Sequence, residues 1–229
     1  MNATSSETTF FEAVRNGDDA AVEAALGADR NLLHARAGDT LSPVLVAAFG
    51  GHLKLASRLA VLAAETESGL DVFDAATTGH VAAVRAMLTD KRASVDDGGP
   101  EGYTALHLSA AFGQLEMARM LLGRGADPNA VALNAERVTP LHCAVAGKHR
   151  DMAGLLLALG ASANAIQKGG QTPLHTAAIN GDEAIVDMLL LRGADPTRAT
   201  DAGKTAIDLA NEHGHAALAN VMRQAATNR

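Results

Sequence analysis

At 229 residues with a formal net charge of −7 and a pI near 5.7, the chain has no surplus of Lys and Arg to neutralise phosphates, which argues against nucleic acid as a partner. Aromatics make up 3% of it and Trp is missing, while Ala, Leu and Gly abound; this suits closely packed short helices and argues against a sandwich or barrel. A single cysteine, Cys143, forms no internal disulfide, the polar start has no apolar signal core, and runs such as 152–161 fall short of the ~18 residues of a membrane span, so a cytoplasmic location with no membrane partner is expected.

Residues 1–7 are polar and aperiodic, and a disordered leader is expected there. From residue 8 one unit recurs: a short apolar helix, a Gly turn, a second helix and a loop. It is plainest where 173–180 and 184–191 flank Gly181-Asp182 and Gly193-Ala194-Asp195-Pro196 stops the second segment. The first copy has helices over Phe10 to Arg15 and Ala20 to Leu26, with Glu12, Arg15 and Glu23 on a water-facing end. The second opens at Ser42-Pro43-Val44-Leu45, and its second helix runs from Leu53 to about Ala64. The third starts near Leu70, only 28 residues after Ser42, so no chain is left for a projecting finger between them. In it Phe73 takes the fourth position of the opening motif, and Val81 to Leu88 is the second helix.

Copies four to seven open at Thr104-Ala105-Leu106-His107, Thr139-Pro140-Leu141-His142, Thr172-Pro173-Leu174-His175 and Thr205-Ala206-Ile207-Asp208, at steps of 35, 33 and 33 residues. The Thr caps a helix, the Pro takes the first helical position where its absent N–H costs nothing, and the Leu enters the core. Gly-rich 96–102 makes one finger. Ala130 to Val138, two residues longer than its counterpart, makes an enlarged one.

A 33-residue period with Thr-Pro-Leu-His openings and Gly-Ala-Asp loops resembles the ankyrin repeat family. The resemblance implies an all-α fold, an ankyrin-repeat solenoid of helix-turn-helix units with projecting β-hairpin or loop fingers, as a single domain over 8–226 with repeats starting near 8, 42, 70, 104, 139, 172 and 205. It implies that His107, His142 and His175 bond the Thr hydroxyl and neighbouring backbone, tying repeats together, and leaves them structural.

No catalytic, metal or cofactor site is expected. His213-Gly214-His215 has no Cys or acidic cluster to complete a ligand set. Cys143 falls at a first-helix core position, and Gly203-Lys204-Thr205 lacks the upstream Gly and strand of a phosphate loop. What remains is surface. In the family, partners bind the concave side, built from finger tips, the residue before the Thr and the two residues before the interhelix Gly. Mapped here, these are Leu41 and Phe49 in the second repeat, Thr77 in the third, Tyr103 and Phe112 in the fourth, Val138 in the fifth, and Gln171, Ile179 and Asn180 in the sixth. Several are apolar where water favours polar side chains. The expected function is that of a non-enzymatic, monomeric protein-binding module gripping another protein; the alternative is an enzyme or small-molecule sensor at the irregular junction between repeats two and three.

Overall fold

The computed structural model describes residues 5–38, 40–66 and 68–227. Among them are fourteen α-helices, with extended pairing limited to two isolated bridges, Ala37 with Leu41 and Ala199 with Thr205. The fold is all-α, and its helices follow one another in consecutive pairs. The packing divides the chain into two compact units, residues 1–93 and 94–229.

The first unit holds α1 (Ser5–Asn16), α2 (Asp19–Ala28), α3 (Pro43–Phe49), α4 (Leu53–Ala64), α5 (Val72–Thr78) and α6 (Val81–Thr89). Helix α1 begins at Ser5, inside the stretch expected to be a leader, and residues 1–4 of that stretch lie outside the described residues. The reason is local: Thr9 Oγ1 donates to the Ser5 carbonyl (3.0 Å), and Glu7 in the first turn favours the positive end of the helix. Buried Phe10 and Phe11, with ring centroids 5.5 Å apart, anchor it. Between α4 and α5 the described residues form only a turn, in which Thr66 Oγ1 donates to the Ala63 carbonyl (2.6 Å) and accepts from the Gly69 N–H (3.2 Å). The finger expected to be absent there is absent among the described residues.

The second unit holds α7 (Ala105–Ala111), α8 (Leu115–Gly123), α9 (Pro140–Ala146), α10 (Arg150–Ala158), α11 (Pro173–Asn180), α12 (Glu183–Leu191), α13 (Ala206–Glu212) and α14 (Ala216–Thr227). Within it the first helices pack in file, α7 on α9, α9 on α11 and α11 on α13, and the second helices form a parallel file beside them. Leu106, Leu141 and Leu174, at equivalent positions, are each 0% exposed, as are Leu121, Leu156 and Leu189 from the second helices. Each helix pair therefore buries its apolar faces against its neighbours as well as within itself. Gly193 ends α12 with φ 81°, and the Ala194 N–H reaches back to the Leu189 carbonyl (2.9 Å), a closure that left-handed backbone allows.

One register differs from the sequence reading. The cap of α5 is Asp71, whose carboxylate accepts the N–H groups of Phe73 (2.9 Å) and Asp74 (2.8 Å). Asp74, not Phe73, therefore occupies the position that His107, His142 and His175 hold elsewhere. Reading Val72-Phe73 as the apolar opening hid an acidic cap one residue upstream.

The enlarged finger folds as a hairpin-like loop. The Ala132 N–H donates to the Val138 carbonyl (2.8 Å) and the Leu133 N–H to the Gly102 carbonyl (2.9 Å). Asn134 Nδ2 donates to the Glu101 carbonyl (2.7 Å). It lies so close to the preceding finger that a Cβ on Gly102 would meet the Leu133 backbone at 2.6 Å.

Candidate protein-interaction surface

The surface is shaped by two sets of histidines. In the first set Nδ1 of His107 accepts the Thr104 N–H (3.2 Å), so the ring proton sits on Nε2 and is donated to the Val138 carbonyl of the next pair (3.1 Å). His175 does the same between the Thr172 N–H (3.0 Å) and the Arg198 carbonyl (3.0 Å). His142 accepts from the Thr139 N–H (3.2 Å) and faces the backbone of Gln171 and Ala165, without as regular a bond. Burial holds all three rings towards their neutral form, pushing His142 down to about 4. These rings fix the roots of the fingers.

The second set runs backwards. His52 Nε2 donates to the Arg15 carbonyl (2.9 Å), His149 to Ala111 (2.9 Å) and His215 to Ile179 (3.2 Å). Each ring lies across the turn glycine of the preceding pair, Gly17, Gly113 and Gly181. A Cβ on Gly113 would stand 2.7 Å from His149 Nδ1, a contact no side chain tolerates. Where the following pair carries Asp182 in place of His, the preceding turn carries Lys148, which keeps the left-handed backbone with φ 58°.

On this frame the expected interface residues fall in two rows. Tyr103, Val138 and Gln171 precede the caps of α7, α9 and α11, whereas Phe112, Ile179 and Asn180 sit at the other end of α7 and α11. Seven helical residues separate the rows by about 10 Å. All six are half-buried. Tyr103 stacks at a tilt on His107, centroids 5.8 Å apart, and burial together with nearby Cys143 raises its phenol pKa. The amides are engaged: Gln171 Oε1 accepts from Gln167 Nε2 (3.2 Å), and Asn180 Nδ2 donates to the Val145 carbonyl (3.1 Å). In the first unit Leu41 is half-buried and Phe49, at the end of α3, is 46% exposed. Thr77 is the correction: it lies inside α5 at 2% exposure, because helix α5 turns that residue towards its neighbours.

Other apolar side chains stand further out. Val131 (41%), Leu133 (85%) and Ile166 (46%) project from two adjacent fingers, and the charges between these fingers are paired, Lys168 Nζ with Glu136 at 2.9 Å. The signal for them was in the sequence, as aliphatic residues in loops where turn residues belong. Two clefts were also not foreseen. One of about 510 Å³ is lined by Lys148, His149, Arg150 and Asp182. Another, of about 300 Å³, is lined by Leu26, Leu33 and Leu62 beside Arg30 and Arg58, which pair with Glu65 and Asp19.

The groups considered for chemistry are committed elsewhere. Desolvation pushes the Cys143 thiol up to about 12, so it is not a thiolate near neutral pH. His213 and His215 each hold a separate backbone carbonyl, Leu209 (2.9 Å) and Ile179. Lys204 pairs with Glu212, and Thr205 caps α13 by accepting the Asp208 N–H (3.2 Å). No described helix is long and apolar enough to cross a membrane.

The family model described as Ankyrin repeats (3 copies) matches residues 72–132 and 130–200. No curated protein matches the sequence.

Proposed function

This chain belongs to the ankyrin-repeat family, and from that membership we propose that it is a monomeric, non-enzymatic, cytoplasmic binding module. It holds a segment of a partner protein against the first helices and fingers of residues 94–229, and Leu41 with Phe49 offers a matching pair in residues 1–93. The observation that carries this reading is the apolar finger set Val131, Leu133 and Ile166, exposed in water beside a charge pair that neutralises itself. Scattered apolar residues need no explanation, but adjacent ones on neighbouring projections form a patch that a partner can dehydrate. Tyr103, Phe112 and Ile179 extend the patch towards the helices. A lone thiol, Cys143, fits a reducing compartment.

The test is capture of the native partner from its own cell by the full chain and by variants. Leu133→Asp, at a side chain 85% exposed, should keep the melting temperature and lose the partner. Tyr103→Ala with Phe112→Ala should keep helix content and also lose it, since a buried aromatic anchor commonly contributes roughly 2 kcal/mol or more. Arg119→Ala, on α8 and 55% exposed, should change neither. Folded variants that still bind would move the interface to another face. Unfolding of the double variant alone would make those two rings core.

A further inference from the structure

Two aspartates occupy the fourth position of the helix-opening motif, and their surroundings are opposite. Asp208 is exposed and accepts from the Thr205 hydroxyl (2.6 Å) and N–H (2.9 Å), hydrogen bonds that hold its carboxyl below the usual range. Asp74 is 5% exposed. Its own cap is a carboxylate, Asp71, which has no hydroxyl to offer and repels a second negative charge. The hydroxyl it receives comes from the previous pair. There the cap of α3 is Ser42, whose Oγ accepts the Leu45 N–H (3.1 Å). Because Leu45 stands where a histidine would engage the cap, the Ser42 proton is left to bond Asp74 Oδ1.

We propose that Asp74 is a proton-operated clasp that seats α5 on α3: α5 is held while the buried carboxyl carries its proton and is loosened when it ionises beside Asp71, because the Ser42 hydroxyl, although it bonds a carboxylate more strongly than the acid, is one donor against burial and a like charge. The surroundings define the balance. Helix α3 has no ionisable side chain. Helix α4 carries Lys54, exposed, and Arg58, paired with Asp19; α6 carries Arg85, exposed. Arg36, from the loop before α3, pairs with Asp71 (3.3 Å) and so leaves Asp74 without a direct cation. An ionised Asp74 therefore sits buried beside Asp71 with one hydroxyl donor among the described residues. Burial first, then Asp71, raises its pKa to about 7, against the lowering by Ser42 and Arg36.

The sign follows from linkage. In the unfolded chain the carboxyl titrates near about 4, so between about 4 and about 7 the folded state binds the extra proton, and the clasp is complete at the acid end and lost as pH rises through about 7. Two measurements on the full chain test this. Carboxyl carbon NMR should show Asp74 titrating near 7, and a midpoint near 4 overturns the proposal. Hydrogen exchange at Ala75 and Ala76 of α5, with intrinsic rates divided out, should lose protection by about tenfold per pH unit from pH 5 to about 7 and level off above. In Asp74→Asn, which keeps an oxygen for Ser42, protection should be flat with pH. His34, His52 and His80 are common to both chains, so the difference reports Asp74. A flat wild type, or an Asn chain with the same slope, overturns the clasp. Should the Asn chain not fold, the wild-type midpoint and slope decide.

Discussion

Lys148 holds φ 58° at a turn where the equivalent residues are Gly113, Gly181 and Gly214. A side chain in that region costs about 1 kcal/mol, partly offset by the greater freedom glycine has when unfolded. Gly147 before it has φ −74°, so it does not take over the turn. Lys148→Gly should therefore raise the melting temperature by a few degrees, measured by circular dichroism; an unchanged or lower midpoint would mean the strain is relieved elsewhere. The same residue shows how closely sequence and structure correspond at this scale. That Lys148 departs from the glycine pattern was plain in the sequence. Why it is allowed was not, because the reason is Asp182 in the next pair, 34 positions away, where the pairs after Gly17, Gly113 and Gly181 place a ring. Asp182 spends its carboxylate on the Ile185 N–H (3.2 Å) and on Arg150 Nε (3.1 Å).

Helices were the most legible level, since Thr-Pro-Leu-His carries a cap, a first-turn proline and a core leucine in four residues. Where those letters are missing, the reading slipped by one residue at Asp71 and Asp74, although an acidic residue followed three positions later by another has the spacing of the Thr and His pairs. The finger residues Val131, Leu133 and Ile166 were passed over for a different reason: exposure in a loop depends on what the neighbouring finger covers, and no periodicity reports that. Core positions carry the clearest consequence. Leu189 of α12 is 0% exposed and its carbonyl closes the Ala194 turn. Leu189→Ala should cost about 2–5 kcal/mol, seen as a lower denaturant midpoint for residues 94–229.

Across the whole molecule, protons act in opposite senses on the two units. Burial lowers His142 to about 4, against about 6.5 in an unfolded chain. The folded second unit thus binds fewer protons between those values, so this contribution is complete above about 6.5 and is lost as pH falls through about 4. His107 and His175 shift the same way, also by burial. Amide protection in α9 should therefore fall on acidification from pH 6.5 to 4. His142→Gln, which keeps a polar side chain but cannot charge, should show a shallower slope, and an unchanged slope would assign the effect to other groups.

The rings of His52, His149 and His215 lying over Gly17, Gly113 and Gly181 act as a rule of adjacency. Each of the three pairs carrying these rings can follow only one whose turn is bare of a side chain, whereas His80 turns to Thr78 Oγ1 (2.8 Å) and leaves the space over Gly51 open, and the pair opening its second helix with Asp182 accepts a lysine ahead of it. The pairs are consequently not interchangeable bricks. Duplication, deletion or transplantation of one of them preserves the stack only where the residue on one side of each new seam matches the ring, or the missing ring, on the other, so the order of the array is written into the seams themselves.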